Sequence, residues 1–380
     1  MKGIIIGAGI GGLSAAISMR QRGIDFDIFE AVPNLTPVGA GILVPPNAMT
    51  ILGRYGLSEQ VQAHGSRIKS LVVMDTQARV ISKTSSEYSK NNITYPTVAI
   101  HRGKLQQILL AALPDKHVTT GKRCIEACIH AQGVAARFSD NSRVEGDFLI
   151  GADGIHSVIR ESIFPNSPLR YSGQTCWRGI ANLELSRQWA TQLTEVWGAG
   201  LRFGFVPISS GQVYWYATKR ESSGGTEDRE KITQQLISIY RSFPDPIAEI
   251  LSRTDMPSII RDDIYDLAPL RSWFSGRAIL VGDAAHASTP NLGQGGAQAI
   301  EDSWVLADKI ASCKSLPEAF QNFQASRLPK VEKIVSVSWQ IGRVTNLSNK
   351  LACVARNTLF RCVPSFVAKQ QARLIYDVSY

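Results

Sequence analysis

The sequence predicts an α/β fold in three parts: a Rossmann-like domain, a second domain built on an antiparallel sheet, and a set of C-terminal helices. A glycine-rich turn directly after the apolar residues 4–6 indicates the first part. Two aromatic-rich strand patterns, 195–206 and 213–218, with no crossover helix between them, indicate the second part. A helical pattern that runs from Arg327 to the end, broken near Pro364, indicates the third.

Composition and charge limit the kinds of ligand and partner that the protein is expected to bind. The chain has 380 residues, of which 44% are hydrophobic and 19% charged, enough for two domains with large cores. Its net charge of +9 suits an anionic ligand, a nucleic acid or an anionic membrane surface. The sequence has no compact Lys/Arg block and no nucleic-acid motif, so we expect no nucleic-acid partner.

The cysteines and the apolar runs bear on location. Six cysteines are scattered without a C-x-x-C pair, which favours reduced thiols and no metal site. The apolar runs are shorter than the roughly 20 residues that span a bilayer. We therefore expect a cytoplasmic protein.

The first thirty residues carry a dinucleotide-binding pattern. Gly7, Gly9 and Gly12 have the G-x-G-x-x-G spacing between an apolar strand and a helix. Gly7 allows the tight turn, Gly9 lets the backbone approach a pyrophosphate, and Gly12 lets the helix pack on the strand. Glu30 ends a second strand 18 positions after Gly12, where it can accept hydrogen bonds from a ribose. These residues alone do not separate NAD from FAD.

Further motifs follow along the chain. Asp283 stands just after the apolar strand 279–281, at the carboxyl end where doubly wound sheets bind ligands; a helix N-cap is the alternative. A glycine run then opens a helix whose N–H groups suit a negative charge, unless it is only a flexible turn. The motif residues are Asp153, Asp283, Pro290, Gly293, Gly295 and Gly296.

In order and separation these motifs, with Arg102, resemble the single-component FAD-dependent aromatic hydroxylases, the para-hydroxybenzoate hydroxylase-like family. The resemblance covers nearly the whole chain and is nearest to alkylquinolone hydroxylases, urate hydroxylases and carotenoid epoxidases. It implies that FAD is bound by Asp283 at its ribityl chain and by Arg102 near its pyrophosphate. It also places Asp153 near FAD and the nicotinamide, Gly39 and Gly41 near the isoalloxazine, and Pro290 beside the flavin. A surface role for Arg102 and a turn-capping role for Asp153 are the alternatives.

The resemblance also implies the domain organisation. The FAD-binding domain comprises 1–69, 83–170 and 262–335. The substrate domain comprises 70–82 and 171–261, and 336–380 forms a C-terminal helical segment. The basic, apolar C-terminal segment is either a peripheral membrane contact or an ordinary amphipathic cover for the core.

The substrate is expected under the aromatic-rich sheet. Arg202 and Tyr214 match two pocket residues of urate hydroxylases, although a surface arginine and a packed tyrosine are equal alternatives. Asn291 stands after Pro290 where urate hydroxylases carry an acid, and an amide cannot act as a base. The sequence therefore favours a heteroaromatic substrate other than urate. Since strand residues alternate, about half of the sheet's aromatics should be core: Trp177, Phe203, Phe205, Tyr214, Trp215 and Tyr216.

The activity implied is that of a monooxygenase. NADH or NADPH reduces FAD, and dioxygen then hydroxylates an electron-rich aromatic or heteroaromatic small molecule through a flavin C4a-hydroperoxide. Arg202, Tyr214 and Pro290 are the predicted catalytic residues. Two alternatives stay open: a flavin-dependent epoxidase of a lipophilic substrate, and a flavin-bound redox regulatory protein.

Overall fold

The computed structural model describes residues 1–35, 40–90, 93–114, 117–363 and 365–378. The strands, in chain order, are β1 (Lys2–Ile6), β2 (Asp25–Phe29), β3 (Gly41–Val44), β4 (Ser66–Ile68), β5 (Ser70–Asp75), β6 (Val80–Ser85), β7 (Tyr88–Lys90), β8 (Ile93–Tyr95), β9 (Thr97–His101), β10 (Val118–Thr119), β11 (Cys124–Ile129), β12 (Val134–Phe138), β13 (Arg143–Gly146), β14 (Phe148–Gly151), β15 (Leu169–Asn182), β16 (Gln192–Trp197), β17 (Leu201–Ser209), β18 (Gln212–Arg220), β19 (Ile260–Leu267), β20 (Phe274–Ser275) and β21 (Ala278–Leu280). The helices are α1 (Ile10–Gln21), α2 (Pro46–Arg54), α3 (Ser58–His64), α4 (Arg102–Ala111), α5 (Val158–Ile163), α6 (Ile232–Ile239), α7 (Ile247–Ser252), α8 (Asp283–His286), α9 (Gly295–Ser312), α10 (Leu316–Thr345), α11 (Lys350–Arg361) and α12 (Ser365–Tyr376).

A six-stranded sheet in the order β10-β2-β1-β14-β21-β20 forms the centre of the Rossmann-like part. Its neighbouring strands run parallel except for the short edge strand β20. β1 and β14 are almost wholly buried, as expected for strands covered on both faces. Helices α1 and α9 pack against each other beside this sheet. The predicted strand, helix and strand at residues 4–30 are therefore confirmed.

A seven-stranded sheet in the order β19-β15-β18-β17-β16-β5-β6 forms the second part. β17 and β18 make the predicted antiparallel hairpin. The β5–β6 hairpin joins the sheet through a parallel pairing of β5 with β16, so the sheet is mixed rather than wholly antiparallel. The prediction of one strand over 195–206 was wrong: β16 ends at Trp197 and β17 begins at Leu201, because Gly200 turns the chain at a φ of +69°.

The C-terminal helices begin earlier than predicted. α10 starts at Leu316, with the Ser315 hydroxyl capping it, and continues through Pro329 to Thr345. A second interruption, at 346–349, separates α10 from α11, and Pro364 lies outside the described residues. Within the described part of the chain, no helix is both long enough and apolar enough to cross a membrane. The cytoplasmic location stays a prediction.

The division into three parts also stays a prediction. Four of its boundaries fall inside continuous elements rather than between them: 82/83 in β6, 170/171 in β15, 261/262 in β19 and 335/336 in α10. The three strands concerned, β6, β15 and β19, all belong to the seven-stranded sheet, and each begins in one predicted domain and ends in the other.

Candidate active site

The glycine-rich turn between β1 and α1 has the geometry that its spacing predicts. Gly7 has a φ of +101°, and a Cβ built there would lie 2.5 Å from the Ala152 carbonyl oxygen. A Cβ on Gly12 would lie 1.9 Å from the Gly7 carbonyl oxygen, so α1 can approach the turn only without a side chain there. Gly9 is different, because a Cβ there would meet no described atom within 4 Å, and Gly9 lines a large cavity. Gly9 thus leaves open space where a ligand can approach the backbone.

Glu30 lies at the end of β2 and holds the same turn from behind. One carboxylate oxygen accepts a hydrogen bond from the Ala8 N–H at 2.7 Å, and the other accepts one from the Val32 N–H at 3.0 Å. The carboxylate is half-buried beside the glycine turn. Its predicted contact with a ribose stays a prediction.

Asp283 opens α8 at the carboxyl end of β21, and its carboxylate faces the cavity. Among the described residues, none donates a hydrogen bond to it. Although the Asp283 side chain is exposed to the cavity, desolvation by the surrounding protein raises its pKa, while the charges of His286 and Arg102 act in the opposite direction. Arg102, at the start of α4, lines the same cavity. A carboxylate and a guanidinium are therefore both available to a polar ligand.

The first turn of α9 completes this side of the cavity. Gly293 has a φ of +61°, and it lines the cavity together with Gly295 and Gly296. A Cβ on Gly295 would stand 3.6 Å from an Asp283 carboxylate oxygen. The flexible-turn alternative is therefore wrong for Gly295 and Gly296, which form the start of an 18-residue helix.

A buried charged network that was not predicted lies directly behind these motifs. Asp302 of α9 accepts hydrogen bonds from the Gly282 N–H at 2.9 Å and from the Arg327 Nε at 2.8 Å, and contacts His286 Nε2 at 2.5 Å. Although burial opposes ionisation, His286 and Arg327 lower the pKa of Asp302 to about 2. Arg327 also pairs with Glu301 at 2.8 Å. This network fixes Gly282, and hence the position of the Asp283 carboxylate.

Asp153 lies apart from the cavity lining, although its neighbours Ala152 and Gly154 belong to that lining. Its carboxylate accepts hydrogen bonds from the Ser157 hydroxyl at 2.5 Å and the Val158 N–H at 2.8 Å, at the start of α5. Asp153 thus closes the turn that follows it onto the start of α5, whose N-cap is Ser157, in agreement with the alternative, a turn-capping role. Its predicted place near the cofactor stays a prediction.

The roof of the cavity is formed by β16, β17 and β18. Tyr214 packs directly on the backbone of β3, since a Cβ on Gly41 would lie 2.4 Å from its Cγ. Burial raises the pKa of Tyr214, so its hydroxyl is protonated at neutral pH. Gly39 lies outside the described residues. Gly41 and Tyr214 therefore bring the roof into contact with the glycine-rich half of the site.

Arg202 is buried in the roof and is held from two sides. Its NH2 donates to the Asn291 Oδ1 at 2.7 Å, and its NH1 lies 3.7 Å from the Glu195 Oε1. Glu195 also accepts hydrogen bonds from the Tyr216 hydroxyl and from the Trp197 Nε1. The Arg202 Nε has no protein partner among the described residues. The surface alternative for Arg202 is therefore wrong.

Asn291 links this roof to α10. Its Nδ2 donates to the Thr289 Oγ1 and to the Ser338 carbonyl oxygen, each at 2.9 Å. Its amide nitrogen and its amide oxygen are thus both hydrogen-bonded, and the oxygen is held towards Arg202. Pro290, the preceding residue, begins a short 3-10 helix and lines the cavity.

The cage of aromatics is smaller than predicted. Tyr214 and Tyr216 line the cavity, whereas the other four predicted aromatics pack into a separate core on the opposite face of the sheet. Those four are Trp177, Phe203, Phe205 and Trp215. The strand alternation that separates Trp215 from its two tyrosine neighbours is the physical reason.

The residues missed from the sequence are Glu195 and the Asp302 network. The Asp302 network is assembled from separate elements and carries no local motif, and the role of Glu195 depends on its contact with Arg202 of the neighbouring strand. The strand alternation of β16 could have placed Glu195 on the face that lines the cavity. All these walls enclose one cavity of about 2210 Å³. Single small-ligand pockets span roughly 300–1,000 Å³, so this cavity has room for a dinucleotide and a second molecule.

The fold and the cavity are those expected of a dinucleotide-binding protein, with the glycine turn, the start of α8 and the first turn of α9 on one side of the cavity and a separate roof on the other. A family model described as FAD binding domain matches residues 1–338, and the chain belongs to this family. It is an FAD-dependent monooxygenase that acts on an aromatic substrate with NAD(P)H as co-substrate.

Comparison with known proteins shows how far this similarity extends. The chain is 36% identical over 364 residues to the aurachin C monooxygenase/isomerase of Stigmatella aurantiaca, covering 95% of this chain and 94% of that protein. It is 33% identical over 367 residues to the 2-heptyl-3-hydroxy-4(1H)-quinolone synthase of Pseudomonas aeruginosa, with coverage of 95% and 94%. Among solved structures, Klebsiella pneumoniae HpxO complexed with FAD and uric acid matches with a TM-score of 0.88 and 28% identity, covering 98% and 95% of the two chains.

Proposed function

We propose that this monooxygenase hydroxylates an electron-rich nitrogen heteroaromatic ring that carries an apolar substituent. The observation that carries the proposal is the Arg202–Glu195 pair in the roof, which faces the FAD motifs across one cavity. One relative supports the substrate class, because its name identifies it as a 2-heptyl-3-hydroxy-4(1H)-quinolone synthase, and the aurachin C monooxygenase/isomerase supports the type of reaction.

The apolar substituent fits the part of the cavity beyond the polar pair. Five aliphatic side chains from the β5–β6 hairpin and its surroundings line it: Ile68, Leu71, Val73, Ile81 and Leu193. Burying a chain of methylene groups against such a wall stabilises the complex by about 0.8 kcal/mol per CH₂ group. We place the polar ring at Arg202 and the substituent along this wall.

On the cofactor side, the residues present fit FAD. Gly9 leaves room for the pyrophosphate, while the Asp283 carboxylate, Arg102 and the first turn of α9 supply polar groups to the rest of the cofactor. Gly7, Gly12 and Glu30 shape the turn, and Gly41, Gly293, Gly295 and Gly296, which line the cavity, would let the backbone approach the flavin ring. Asp153 would act indirectly, by holding α5 and the adjoining loop. When bound and reduced by NAD(P)H, FAD supplies the chemistry that activates dioxygen.

On the substrate side, each group has a separate task. The Arg202 guanidinium would stabilise negative charge on a ring oxygen, which makes the adjacent ring carbon more electron-rich. Because the Asn291 amide cannot act as a base, we assign proton acceptance to Glu195. Tyr214 would orient the ring, and Pro290 would close the cavity against water that would otherwise divert the reaction to peroxide.

The apolar substituent proposed for the substrate also bears on where in the cell the enzyme would meet it. A substrate with a long apolar tail dissolves mainly in membranes, so peripheral contact of the C-terminal segment with a membrane would bring the enzyme to it.

The deciding experiment combines cofactor consumption with isotope labelling. NAD(P)H oxidation by the FAD-loaded protein should be slow alone and faster with 2-heptyl-4(1H)-quinolone or a related ring, and one oxygen atom from ¹⁸O₂ should enter each product molecule. Consumption of the compound without label in the product would show a dehydrogenase or an oxidase. Label in an epoxide would show the alternative epoxidase. If FAD binds but no aromatic compound tested stimulates turnover, the redox regulatory function gains.

A further inference from the structure

Helix α11 has its polar and apolar faces reversed relative to an ordinary surface helix. Leu351, Val354 and Leu359 are 81%, 64% and 69% exposed, and their separations of three, five and eight positions place them on one broad face of the helix. The opposite stripe, which includes Arg356 and Asn357, is buried. A surface helix normally buries its apolar stripe and exposes its polar one. The apolar side chains on the outer face of α11 therefore lack the packing partner that such a stripe normally has.

The inward contacts show that this orientation is fixed rather than incidental. The Arg356 guanidinium lies over the Trp197 ring at 5.2 Å, and its Nε donates to the Asn357 Oδ1 at 2.9 Å. Phe360 meets the same Trp197 ring edge to face at 5.2 Å. At the end of the helix, the Arg361 NH2 donates to the Asp75 Oδ2 at 3.0 Å. Turning α11 over to bury its leucines would break every one of these contacts.

The surroundings of the stripe indicate what covers it. Of the ten large hydrophobic residues that are exposed in the described part of the chain, five lie between 351 and 374. From Arg343 onward the sequence carries six Lys and Arg residues against one acid, Asp377. Among the described members of this set, Arg343, Lys350 and Arg373 are exposed, whereas Arg356 is buried and Arg361 pairs with Asp75, so the first three supply the positive charge of the surface. Two copies of such a surface would repel each other, whereas an anionic lipid surface would attract it.

We propose that the Leu351–Val354–Leu359 stripe of α11, flanked by these basic residues, docks the enzyme on an anionic lipid bilayer. The cavity extends to the same region, because Phe360, Val363 and Tyr376 belong to its lining. A lipophilic substrate could pass from the bilayer to the aliphatic wall beside β5 and β6. This route rests on the proposed function, but the docking surface itself does not depend on the identity of the substrate.

Vesicle flotation of the full-length FAD-loaded protein tests the proposal. Wild type should float with vesicles of phosphatidylcholine mixed with phosphatidylglycerol, bind less to phosphatidylcholine alone, and dissociate as salt is raised. Leu351→Gln/Leu359→Gln should lower partition by roughly tenfold or more, because two exposed apolar side chains no longer enter the interface. Ile125→Gln/Met256→Gln is the matched control, since those side chains are 40% and 38% exposed elsewhere.

Three outcomes would overturn the proposal. One is wild type that does not bind the anionic vesicles, and another is equal binding by the leucine double variant. The third is a wild-type dimer in light scattering that becomes a monomer in the double variant, which would assign the stripe to a second copy of the chain. FAD binding and NAD(P)H oxidation with a dissolved aromatic compound should be unchanged in the double variant. Failure of docking is therefore separable from failure of the hydroxylase function.

Discussion

The cavity has two walls that are shaped by different parts of the chain: the cofactor wall, formed by the glycine turn, α8 and the first turn of α9, and the roof, formed by β16, β17 and β18. On the cofactor wall, backbone shape dominates: Gly7 and Gly12 are required by contacts of 2.5 Å or less, and Gly9 leaves open space. On the roof, side chains dominate: Arg202 and Glu195 reach into the cavity from two different strands. Backbone shape can be encoded by a short run of glycines, whereas a side-chain cluster is encoded only by the way the strands come together.

This difference predicts that the cofactor wall is less tolerant of change than the roof. A substitution in the glycine turn alters the path of the main chain itself. A substitution in the roof removes one side chain from a sheet that has its own core on the opposite face. The largest expected effects therefore lie in the turn, and the roof should show functional losses without unfolding.

The largest effect should come from Gly12→Ala. Its new Cβ would lie 1.9 Å from the Gly7 carbonyl oxygen, and because that oxygen belongs to the main chain, the backbone of the turn itself would have to shift. We expect a loss of more than about 5 kcal/mol in the free energy of unfolding, or no folded protein. Gly9→Ala is the matched control: its apo form should unfold at the wild-type temperature but bind FAD more weakly. Equal stability of the two variants in thermal unfolding would contradict the structural distinction between these glycines.

The predictions from sequence succeeded where the constraint is local. The turn at Gly7–Gly12 and the position of Asp283 after an apolar strand were both confirmed, because each depends on a few adjacent residues. The break between β16 and β17 was missed, since Gly198 and Gly200 lie within a run that otherwise has the pattern of one strand.

Long-range clusters could not be predicted in the same way. The Asp302–Arg327 pair joins α9 to α10. In the sequence, each of the two residues has only the pattern of a polar position on an amphipathic helix. The Glu195–Arg202 pair depends on the register of β16 against β17. Nothing in a single sequence fixes that register, so the candidate site was predicted on its cofactor side and only partly on its substrate side.

Asp302→Asn should produce the next largest effect. It removes one of the carboxylates that pair with the buried Arg327 guanidinium, and because Glu301 remains as another, the cost should lie near the lower end for a broken buried pair, about 3 kcal/mol of unfolding free energy. The folded-state pKa of Asp302 is lowered from 3.8 to about 2, so its stabilising contribution is complete above 3.8 and lost as pH falls towards 2. The difference between wild type and variant in urea unfolding should therefore shrink over that range. Asp308→Asn is the control. Asp308 lies on the same helix as Asp302 but is exposed where it pairs with Arg22, so its replacement should change stability little.

A matched pair of carboxylate-to-amide changes compares the two walls directly. Asp283→Asn should weaken FAD binding by about 1.5–3 kcal/mol, because a hydrogen bond to a charged group is lost, while the protein stays folded. Glu195→Gln should leave FAD affinity unchanged but lower substrate-stimulated turnover by about 10²-fold. FAD titration and turnover, measured on both variants, give the comparison. If both variants lose FAD, or if Glu195→Gln turns over normally, the roles assigned to the two walls are wrong.

The smallest expected effect concerns Asp153, where motif and structure suggest different roles. As a cap, its carboxylate accepts the Val158 N–H at the start of α5, and replacing it by alanine should cost about 1 kcal/mol of stability. Asp153→Asn should restore most of that stability, because an asparagine side chain also caps helices. A role that needs the charge near FAD or the nicotinamide predicts the reverse: both variants would lose cofactor affinity or the rate of flavin reduction, and asparagine would rescue neither. Chemical unfolding and stopped-flow reduction of the two variants therefore separate the roles. We expect the asparagine variant to match wild type in both measurements, since the Asp153 carboxylate lies outside the cavity lining while its neighbours Ala152 and Gly154 lie within it.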